Sequence, residues 1–232
     1  MSASTHLENA PERAPGAEPG GAFRSLWSWE ADLYYEHLKR LGREDRRLRF
    51  HRAMSDDGLR LHVDRAFEHD KKPNGLVHVI GWFLDAELRG AAEVAVYETP
   101  DGPEAEAAFA VEEDYRGQGV GRELMRRSAL YARNRGAGVL HIATERDNRA
   151  MLKLAMGSGA VFEISAADAD GVLRTEPRSV FSLLLETAEE DLGVAHWAWD
   201  RALGWLRRRW TGQRGIADGV AAAVKNGQGR AA

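Results

Sequence analysis

The sequence contains no cysteine among its 232 residues. This absence excludes disulfide bonds, cysteine-ligated metal sites and a catalytic thiol that carries an acyl group. The chain also lacks an apolar run that approaches the roughly 20 residues needed to span a bilayer. Residues 1–21 have neither the basic nor the apolar region of a secretory signal. We therefore expect a cytoplasmic protein that does not associate with membranes.

The chain has no marked excess of charge, and its net charge is −4. No cluster of basic residues alternates with aromatic residues, so the composition argues against a nucleic-acid partner. The eight histidines are scattered, and none has the spacing of a zinc-binding helix. We therefore expect no metal. At 44% hydrophobic and 29% charged residues, the composition is that of a globular domain with room for extensions.

The most informative motif present is a glycine-rich turn that reads Y-R-G-Q-G-V-G over residues 115–121. A short apolar strand at 107–111 precedes it, and an amphipathic helix with Val120, Leu124, Met125, Ser128 and Tyr131 on one face follows it. Glycines let the backbone approach a ligand closely because they have no Cβ. The first amides of the helix have no acceptor and lie at the positive end of its dipole. The turn therefore predicts a phosphate-binding site.

The spacing of the glycines separates the possible phosphate ligands. A P-loop ends in Gly-Lys-Ser or Gly-Lys-Thr, whereas this turn ends in Gly121-Arg122. A dinucleotide fingerprint reads G-x-G-x-x-G, and the glycines here follow G-x-G-x-G. The remaining pattern, R-x-x-G-x-G from Arg116 to Gly121, resembles the acetyl-CoA pyrophosphate loop of the GNAT acetyltransferases. Taken alone, the loop would also suit an ordinary strand-to-helix turn.

The segment after the loop supports the same family. Gly136 and Gly138 follow the helix, a strand is predicted at 139–144, and Asn148 opens a helix that Gly157 ends before a strand at 161–164. GNAT proteins have this order of elements, and the chain is identified as a member over residues 45–185. The resemblance implies an α/β (α+β) fold with a mixed, mostly antiparallel sheet of six to seven strands flanked by helices. It also implies acetyl-CoA as the acyl donor.

Three short segments resemble the bacterial Pat-type protein lysine acetyltransferases within this family. They are A-E-A-A-F-A-V at 105–111, N-x-x-M-L-x-L-A at 148–155, and L-x-x-x-D-R-x-x-R-F at 41–50 followed by Ser55. One departure is Gly159-Ala160, where the subgroup frequently has Gly-Phe. The resemblance implies a protein lysine as the acceptor. A small-molecule amine and a non-catalytic acyl-CoA sensor, whose terminal helices bind a partner, remain the alternatives.

Acetyl transfer requires a neutral amine, whereas a free lysine has a pKa near ~10.4. A carboxylate beside the acceptor can remove the proton, and Glu106 is the candidate because it matches the glutamate of the Pat-type strand. Glu104 and Glu93 are expected nearby. The alternative for Glu106 is a solvated strand carboxylate paired with an arginine.

The resemblance also implies which residues bind the donor. Backbone amides at Val111 or Glu112 would stabilise the oxyanion, and amides of the loop with the Arg116 and Arg122 side chains would bind the pyrophosphate. Asn148 would bind the pantetheine arm or, alternatively, cap its helix. The expected donor site comprises Val111, Glu112, Glu113, Arg116, Gly117, Gln118, Gly119, Val120, Gly121, Arg122 and Asn148. Ala155 stands where many members have a tyrosine that protonates the leaving thiolate, so no general acid is assigned.

The pattern along the chain predicts a disordered tail at 1–21, an N-terminal helical extension at 22–44 and an acetyltransferase domain at 45–187. A C-terminal amphipathic helix at 188–210 and a flexible tail at 211–232 follow. Within these segments we expect a helix over 25–41, a first strand at 49–54, a helix at 57–67 and a hairpin turn at 99–103. Strands are expected at 76–84, 89–97, 104–111 and 179–185.

The C-terminal helix is rich in tryptophan and ends in the basic run 207–209. Trp beside Arg suits a membrane interface, whereas acidic residues at 189–191 would oppose anionic lipid. We therefore favour a helix that packs on the domain or at a subunit interface, and we expect a homodimer through the terminal helices.

Overall fold

The computed structural model describes residues 20–68 and 76–227, and for residues 76 and 206–227 it describes the backbone alone. Residues 1–19, most of the tail that the sequence predicts to be disordered, lie outside the described part.

A seven-stranded sheet forms the centre of the protein. Its strands are β1 (Ala22–Ser25), β2 (Leu76–Leu84), β3 (Glu87–Thr99), β4 (Gly102–Val111), β5 (Val139–Glu145), β6 (Val161–Ile164) and β7 (Asp168–Arg174). The order across the sheet is β1-β2-β3-β4-β5-β7-β6. All neighbouring pairs are antiparallel except the central pair β4 and β5. The predicted fold class, a mixed and mostly antiparallel sheet, is confirmed.

In the described ranges, six α-helices flank the sheet: α1 (Ala31–Arg40), α2 (Arg43–Phe50), α3 (Asp56–Phe67), α4 (Val120–Asn134), α5 (Arg149–Gly157) and α6 (Val180–Gly227). Alternation along β2 assigns the two faces. Val79 and Phe83 belong to a buried cluster with α1 and α3. Ile80 and Trp82 point the other way, into a cluster with α4.

The predicted turn at 99–103 closes the β3–β4 hairpin. Thr99 pairs with Gly102 across a two-residue loop, and the Thr99 hydroxyl donates to the Gly102 carbonyl at 2.7 Å. Gly102 has φ +116°, a conformation that glycine adopts at little cost.

The helix predicted over 25–41 is shorter, because residues 22–25 form β1 and pair with β2. Arg24 on this strand is fully buried. Its guanidinium makes two bonds of 2.7 Å to the Glu30 carboxylate and lies 4.4 Å from the Trp27 ring centroid. Within the 22–44 segment, residues 22–25 therefore belong to the sheet, and α1 follows them.

The predicted first strand at 49–54 is wrong, because residues 43–50 form α2. His51 then adopts φ 54° and ends the helix. The side chains of α2 reach partners on different elements at helical spacing. Arg47 binds Glu145 at the end of β5 at 2.5 Å, and Arg49 binds Glu93 on β3 at 3.0 Å. These tertiary partners decide the conformation of a segment whose apolar pattern is too sparse to do so.

The predicted strand at 179–185 is also wrong, because this segment begins α6. Ser179 and Ser182 cap the helix start reciprocally: each backbone amide donates to the other residue's hydroxyl, at 3.0 and 3.1 Å. Such paired bonds satisfy the amides that have no acceptor in the first turn. The seventh strand is instead β7, at 168–174, a segment that no pattern in the sequence predicted to be a strand.

The first half of α6 packs on the domain. The Glu190 carboxylate accepts from the Ser25 amide at 2.9 Å, and Gly193 touches β1 so closely that a Cβ there would lie 1.8 Å from the Phe23 carbonyl oxygen. The Trp197 ring stacks against the Arg24 guanidinium at 4.3 Å. The expected boundary between 187 and 188 thus falls inside one helix, whose backbone extends to Gly227 through the segment expected to be a flexible tail.

None of the helices in the described ranges is both long enough and apolar enough to cross a membrane.

Candidate active site

The two central strands diverge at the point where the site forms. The parallel pairing of β4 with β5 consists of Ala105 with Leu140 and Glu106 with His141. Beyond Glu106, β4 continues to Val111 along β3 alone, so that a gap opens towards β5. Successive residues of a strand direct their amides to opposite edges. The Glu112 amide donates to the Arg89 carbonyl of β3 at 3.0 Å, and the Val111 amide therefore faces the gap.

The glycine-rich turn lies at the end of this gap. Gly117 and Gly119 have φ +74° and +87°, in the left-handed region that favours glycine. The first intrahelical bond of α4 runs from the Glu123 amide to the Gly119 carbonyl at 3.1 Å. The preceding amides of the first turn have no acceptor within the helix, so the turn presents a set of donors with the helix dipole behind them.

A cavity of about 750 Å³ connects these elements. It runs along the end of β4, the glycine-rich turn, the start of α4, and the helix that Asn148 opens. Eight of the eleven residues predicted for the donor site line this cavity. They are Val111, Arg116, Gly117, Gly119, Val120, Gly121, Arg122 and Asn148. A cavity lined by these elements suits a ligand that places a phosphate at the glycine-rich turn.

The two arginines predicted to supply charge have different surroundings. Arg116 donates through Nε to the Val111 carbonyl at 3.0 Å, and its Nη2 lies 2.7 Å from the Asp45 carboxylate of α2. Arg122 is exposed, and no hydrogen bond or ion pair holds its side chain among the described residues. Arg122 is therefore free to meet an incoming phosphate, whereas Arg116 links α2 to the end of β4.

Asn148 caps α5, because its Oδ1 accepts from the Met151 amide at 3.2 Å. The residue also lines the cavity, and its Nδ2 takes no part in the cap. The arrangement is compatible with both roles that the sequence suggests for Asn148.

Glu112 lies outside the cavity lining and is a structural carboxylate. It accepts from His37 Nδ1 at 3.0 Å, from Arg40 Nε at 2.8 Å and from Arg89 Nη1 at 3.0 Å. Burial raises the pKa of this carboxyl, but the bonds from His37 and Arg40 outweigh burial and hold the pKa below its usual range. Since its amide is also bonded to β3, Glu112 offers no donor to the cavity. Of the two amides predicted to stabilise the oxyanion, the Val111 amide is therefore the one that faces the gap.

Two further residues predicted for the donor site also lie outside the lining. Glu113 forms a short 3-10 turn with Tyr115 before the loop and is exposed. Gln118 folds back, so that its side-chain amide donates to the Asp114 carbonyl at 3.2 Å.

The three carboxylates considered as bases differ in their partners. Glu93 accepts from the Tyr34 hydroxyl at 2.9 Å and binds Arg49 and His62 at 3.0 and 2.7 Å. Burial raises its pKa, but the charges of Arg49 and His62 outweigh burial and lower the pKa to about 2. A carboxylate this acidic is a weak base.

Glu104 is paired with His141, whose Nε2 lies 2.8 Å from its carboxylate. Glu106 lies on the same face of β4, is exposed, and has no hydrogen bond or ion pair among the described residues. It stands at the last paired position before the strands diverge. Of the three carboxylates, Glu106 is therefore the one available to an incoming amine.

Sequence reasoning did not recognise one wall of the cavity. Asp45, Leu48 and Arg49 of α2 line it, at the i, i+3 and i+4 spacing that places side chains on one helix face. Asp45 and Arg49 stand in the segment at 41–50 that resembles the Pat-type proteins, so the signal was present. It was hidden because part of this segment was predicted to be a strand. Lys153 of α5 is a further cation in the lining.

Tyr131 is not part of the site. Its ring stacks on His78 at 4.1 Å and beneath the Arg135 guanidinium at 3.4 Å, and it is buried in the cluster with α4. The general acid for the leaving thiolate therefore stays unassigned.

The fold is shared with solved acetyltransferases. The chain is 21% identical to the GNAT domain of S. lividans PAT, with a TM-score of 0.54 over 66% of this chain and 89% of that one. It is 13% identical to a GNAT-family acetyltransferase from Streptococcus pneumoniae, with a TM-score of 0.52 over 66% and 98%. RimL, a ribosomal α-N-protein acetyltransferase in complex with coenzyme A, is 13% identical, with a TM-score of 0.52 over 68% and 96%.

A family model for the acetyltransferase (GNAT) family matches residues 24–158. This match spans more than half of the chain, and the protein belongs to the GNAT family of N-acetyltransferases. No curated protein matches the sequence.

Proposed function

We propose that this protein transfers an acetyl group from acetyl-CoA directly to the side-chain amine of a protein lysine, as in the Pat-type members of its family. The observation that carries the proposal is the cavity of about 750 Å³ that joins the glycine-rich turn to the diverging end of β4. RimL, which shares the fold, is in complex with coenzyme A. This supports coenzyme A as the carrier of the acyl group, and we place its pyrophosphate at the turn because the loop amides there have no acceptor within the helix.

The residues of the site divide the chemistry between them. The loop amides and the free Arg122 guanidinium bind the pyrophosphate, and Asn148 binds the pantetheine arm through its Nδ2. The thioester carbonyl lies in the gap beside β4, where the Val111 amide donates to the developing oxyanion. Glu106 removes the proton from the acceptor ammonium, directly or through a water, and the neutral amine attacks the carbonyl carbon. The tetrahedral intermediate then collapses: the CoA thiolate leaves with the electron pair of the C–S bond, and the nitrogen releases its second proton to solvent.

The position of Glu106 supports a protein lysine rather than an enclosed metabolite. Glu106 is exposed and lies outside the lining of the cavity, so an amine reaches it across open surface. Glu104, 30% exposed on the same face, adds negative charge that attracts a protonated lysine.

Release of CoA thiol with a panel of acceptors tests the proposal. Since the chain has no cysteine, a thiol reagent reports CoA without background from the protein. We expect turnover with lysine-containing proteins and peptides, none with the same peptides after Lys→Arg substitution, and weak turnover with free lysine or polyamines. A preference for a small amine would refute a protein lysine as the acceptor but would still support acetyltransferase activity. Binding of acetyl-CoA with no turnover of any amine would favour an acyl-CoA sensor.

A further inference from the structure

The outward face of α6 carries an exposed apolar stripe that the domain leaves uncovered. Leu192 is 70% exposed and Trp199 is 65% exposed, and Ala188, Ala195 and Ala202 between and beside them are exposed as well. The opposite face of α6 is the one that docks on the domain through Glu190, Gly193 and Trp197. Removing large apolar side chains from water is favourable, so this stripe favours a partner.

The stripe alternates large and small side chains at steps of three and four residues. From Leu192 the order is Leu192, Ala195, Trp199, Ala202, a spacing that repeats every seven residues and keeps one seam of a helix facing a partner helix. The intervals between successive stripe residues are three, four and three, and this order is the same from either end of the helix. A second helix that runs antiparallel therefore meets the first in register.

This register fits a large side chain of one copy against a small one of the other. Leu192 lies opposite Ala202 of the second copy and Ala195 lies opposite Trp199, and the two-fold axis repeats both contacts. A parallel pair would instead set Trp199 against Trp199 and Ala195 against Ala195. The tryptophan layer would then be overfilled and the alanine layer would contain a cavity. Both defects destabilise an interface. Self-complementarity about a two-fold axis is the geometry of most homodimers.

We propose that α6 is the homodimerisation surface of this protein and that it pairs antiparallel with α6 of a second copy, with the two-fold axis between Ala195 and Trp199. The occupant of the stripe is the same stripe of the partner. The surface is separate from the cavity, because none of the described α6 side chains is among the residues that line it. It is therefore independent of the proposed acetyl transfer.

The first experiment measures the mass of the full-length chain by light scattering at micromolar concentration. We expect twice the 25.7 kDa of one chain for the wild type. Trp199→Glu and Leu192→Glu place a charge in the buried layers, and each should give the mass of a single chain with unchanged acetyl-CoA binding. Leu61→Glu, a substitution at a 51% exposed leucine of α3, is the control and should remain dimeric. A monomeric wild type, or a dimer that survives Trp199→Glu, would overturn the proposal.

The absence of native cysteine allows a second experiment that reports the direction of the helices. Leu192→Cys and Ala202→Cys chains are oxidised separately and as a mixture. In the antiparallel pair, position 192 lies beside position 202 of the partner, whereas two copies of position 192 are about 15 Å apart at 1.5 Å per residue. We expect a disulfide-linked dimer from the mixture alone. Crosslinking of each single variant with itself would show a parallel pair and overturn the proposed register. A monomer that sediments with phosphatidylserine vesicles would assign the stripe to lipid instead.

Discussion

The Arg116 guanidinium lies 2.7 Å from the Asp45 carboxylate while its Nε donates to the Val111 carbonyl at 3.0 Å. This arrangement joins α2 to the last residue of β4, where pairing with β5 has already ended. A strand end with one unpaired edge is free to fray, and two contacts through Arg116 hold it in place. In the proposed reaction, Arg116 and Asp45 are positioning residues for the Val111 amide.

Asp45→Asn should lower kcat by about tenfold, because a donor to an oxyanion must be held in advance of the reaction. The dissociation constant of acetyl-CoA should not rise, since the substitution removes a negative charge from a cavity that receives an anion. Separate measurements of kcat by CoA release and of binding by calorimetry check this. In an Arg116→Gln background the same substitution should have no further effect on kcat, because the link is already broken. A purely structural role would instead lower the melting temperature and leave kcat alone.

Glu106→Gln should lower turnover by roughly 10²- to 10⁴-fold, the range expected for loss of a general base. Acetyl-CoA binding should be retained, because Glu106 is outside the lining of the cavity. Glu104→Gln is the matched control on the same strand and face, and it should have a much smaller effect. Equal losses from both variants would remove the distinction we draw between a free carboxylate and one paired with His141.

Gly119→Ala should weaken acetyl-CoA binding by about tenfold or more. Gly119 has φ +87°, and forcing an alanine into the left-handed region costs roughly 1–2 kcal/mol, which the loop can avoid only by moving its amides. Equilibrium titration with CoA measures the loss. Gly138→Ala is the control, since its φ is not positive and a Cβ there meets no atom within 4 Å. Unchanged affinity in Gly119→Ala would contradict the proposed role of the turn.

The low pKa of Glu93 predicts an acid-sensitive contribution to stability. Its pKa is about 2 in the folded protein and near ~4.3 in the unfolded chain, so the unfolded state binds the extra proton between these values. The contribution is therefore complete above about pH 5, amounts to roughly 3 kcal/mol, and is lost as the pH falls through this window. Urea unfolding between pH 6 and pH 2 measures the slope. Glu93→Gln should be less stable at neutral pH, because it leaves Arg49 buried and unpaired. Its unfolding free energy should also depend less steeply on pH, by the slope that corresponds to about one proton taken up on unfolding.

Gly193→Ala should detach α6 from β1, because its Cβ would lie 1.8 Å from the Phe23 carbonyl oxygen. Overpacking of this kind costs roughly 1–3 kcal/mol, more than the helix propensity gained from alanine. Thermal unfolding reports the change. Gly157→Ala at the end of α5 is the control, since a Cβ there meets nothing within 4 Å, and it should be neutral or stabilising.

The sequence by itself determined the features that depend on local conformation and spacing. The turn at 115–121 needs positive φ at Gly117 and Gly119, and only glycine adopts it cheaply, so the residue types alone are enough to reveal the loop. The same holds for the hairpin turn before Gly102 and for the helix that Asn148 caps. The order of these elements was sufficient to identify the family.

Tertiary structure decided the rest. The segment at 43–50 is a helix because Asp45, Arg47 and Arg49 reach partners on three separate elements, and no local pattern encodes those distant partners. The roles of Glu93, Glu104 and Glu106 differ for the same reason. All three are strand carboxylates in the sequence, and the long-range contacts leave Glu106 alone available at the point where β4 and β5 diverge.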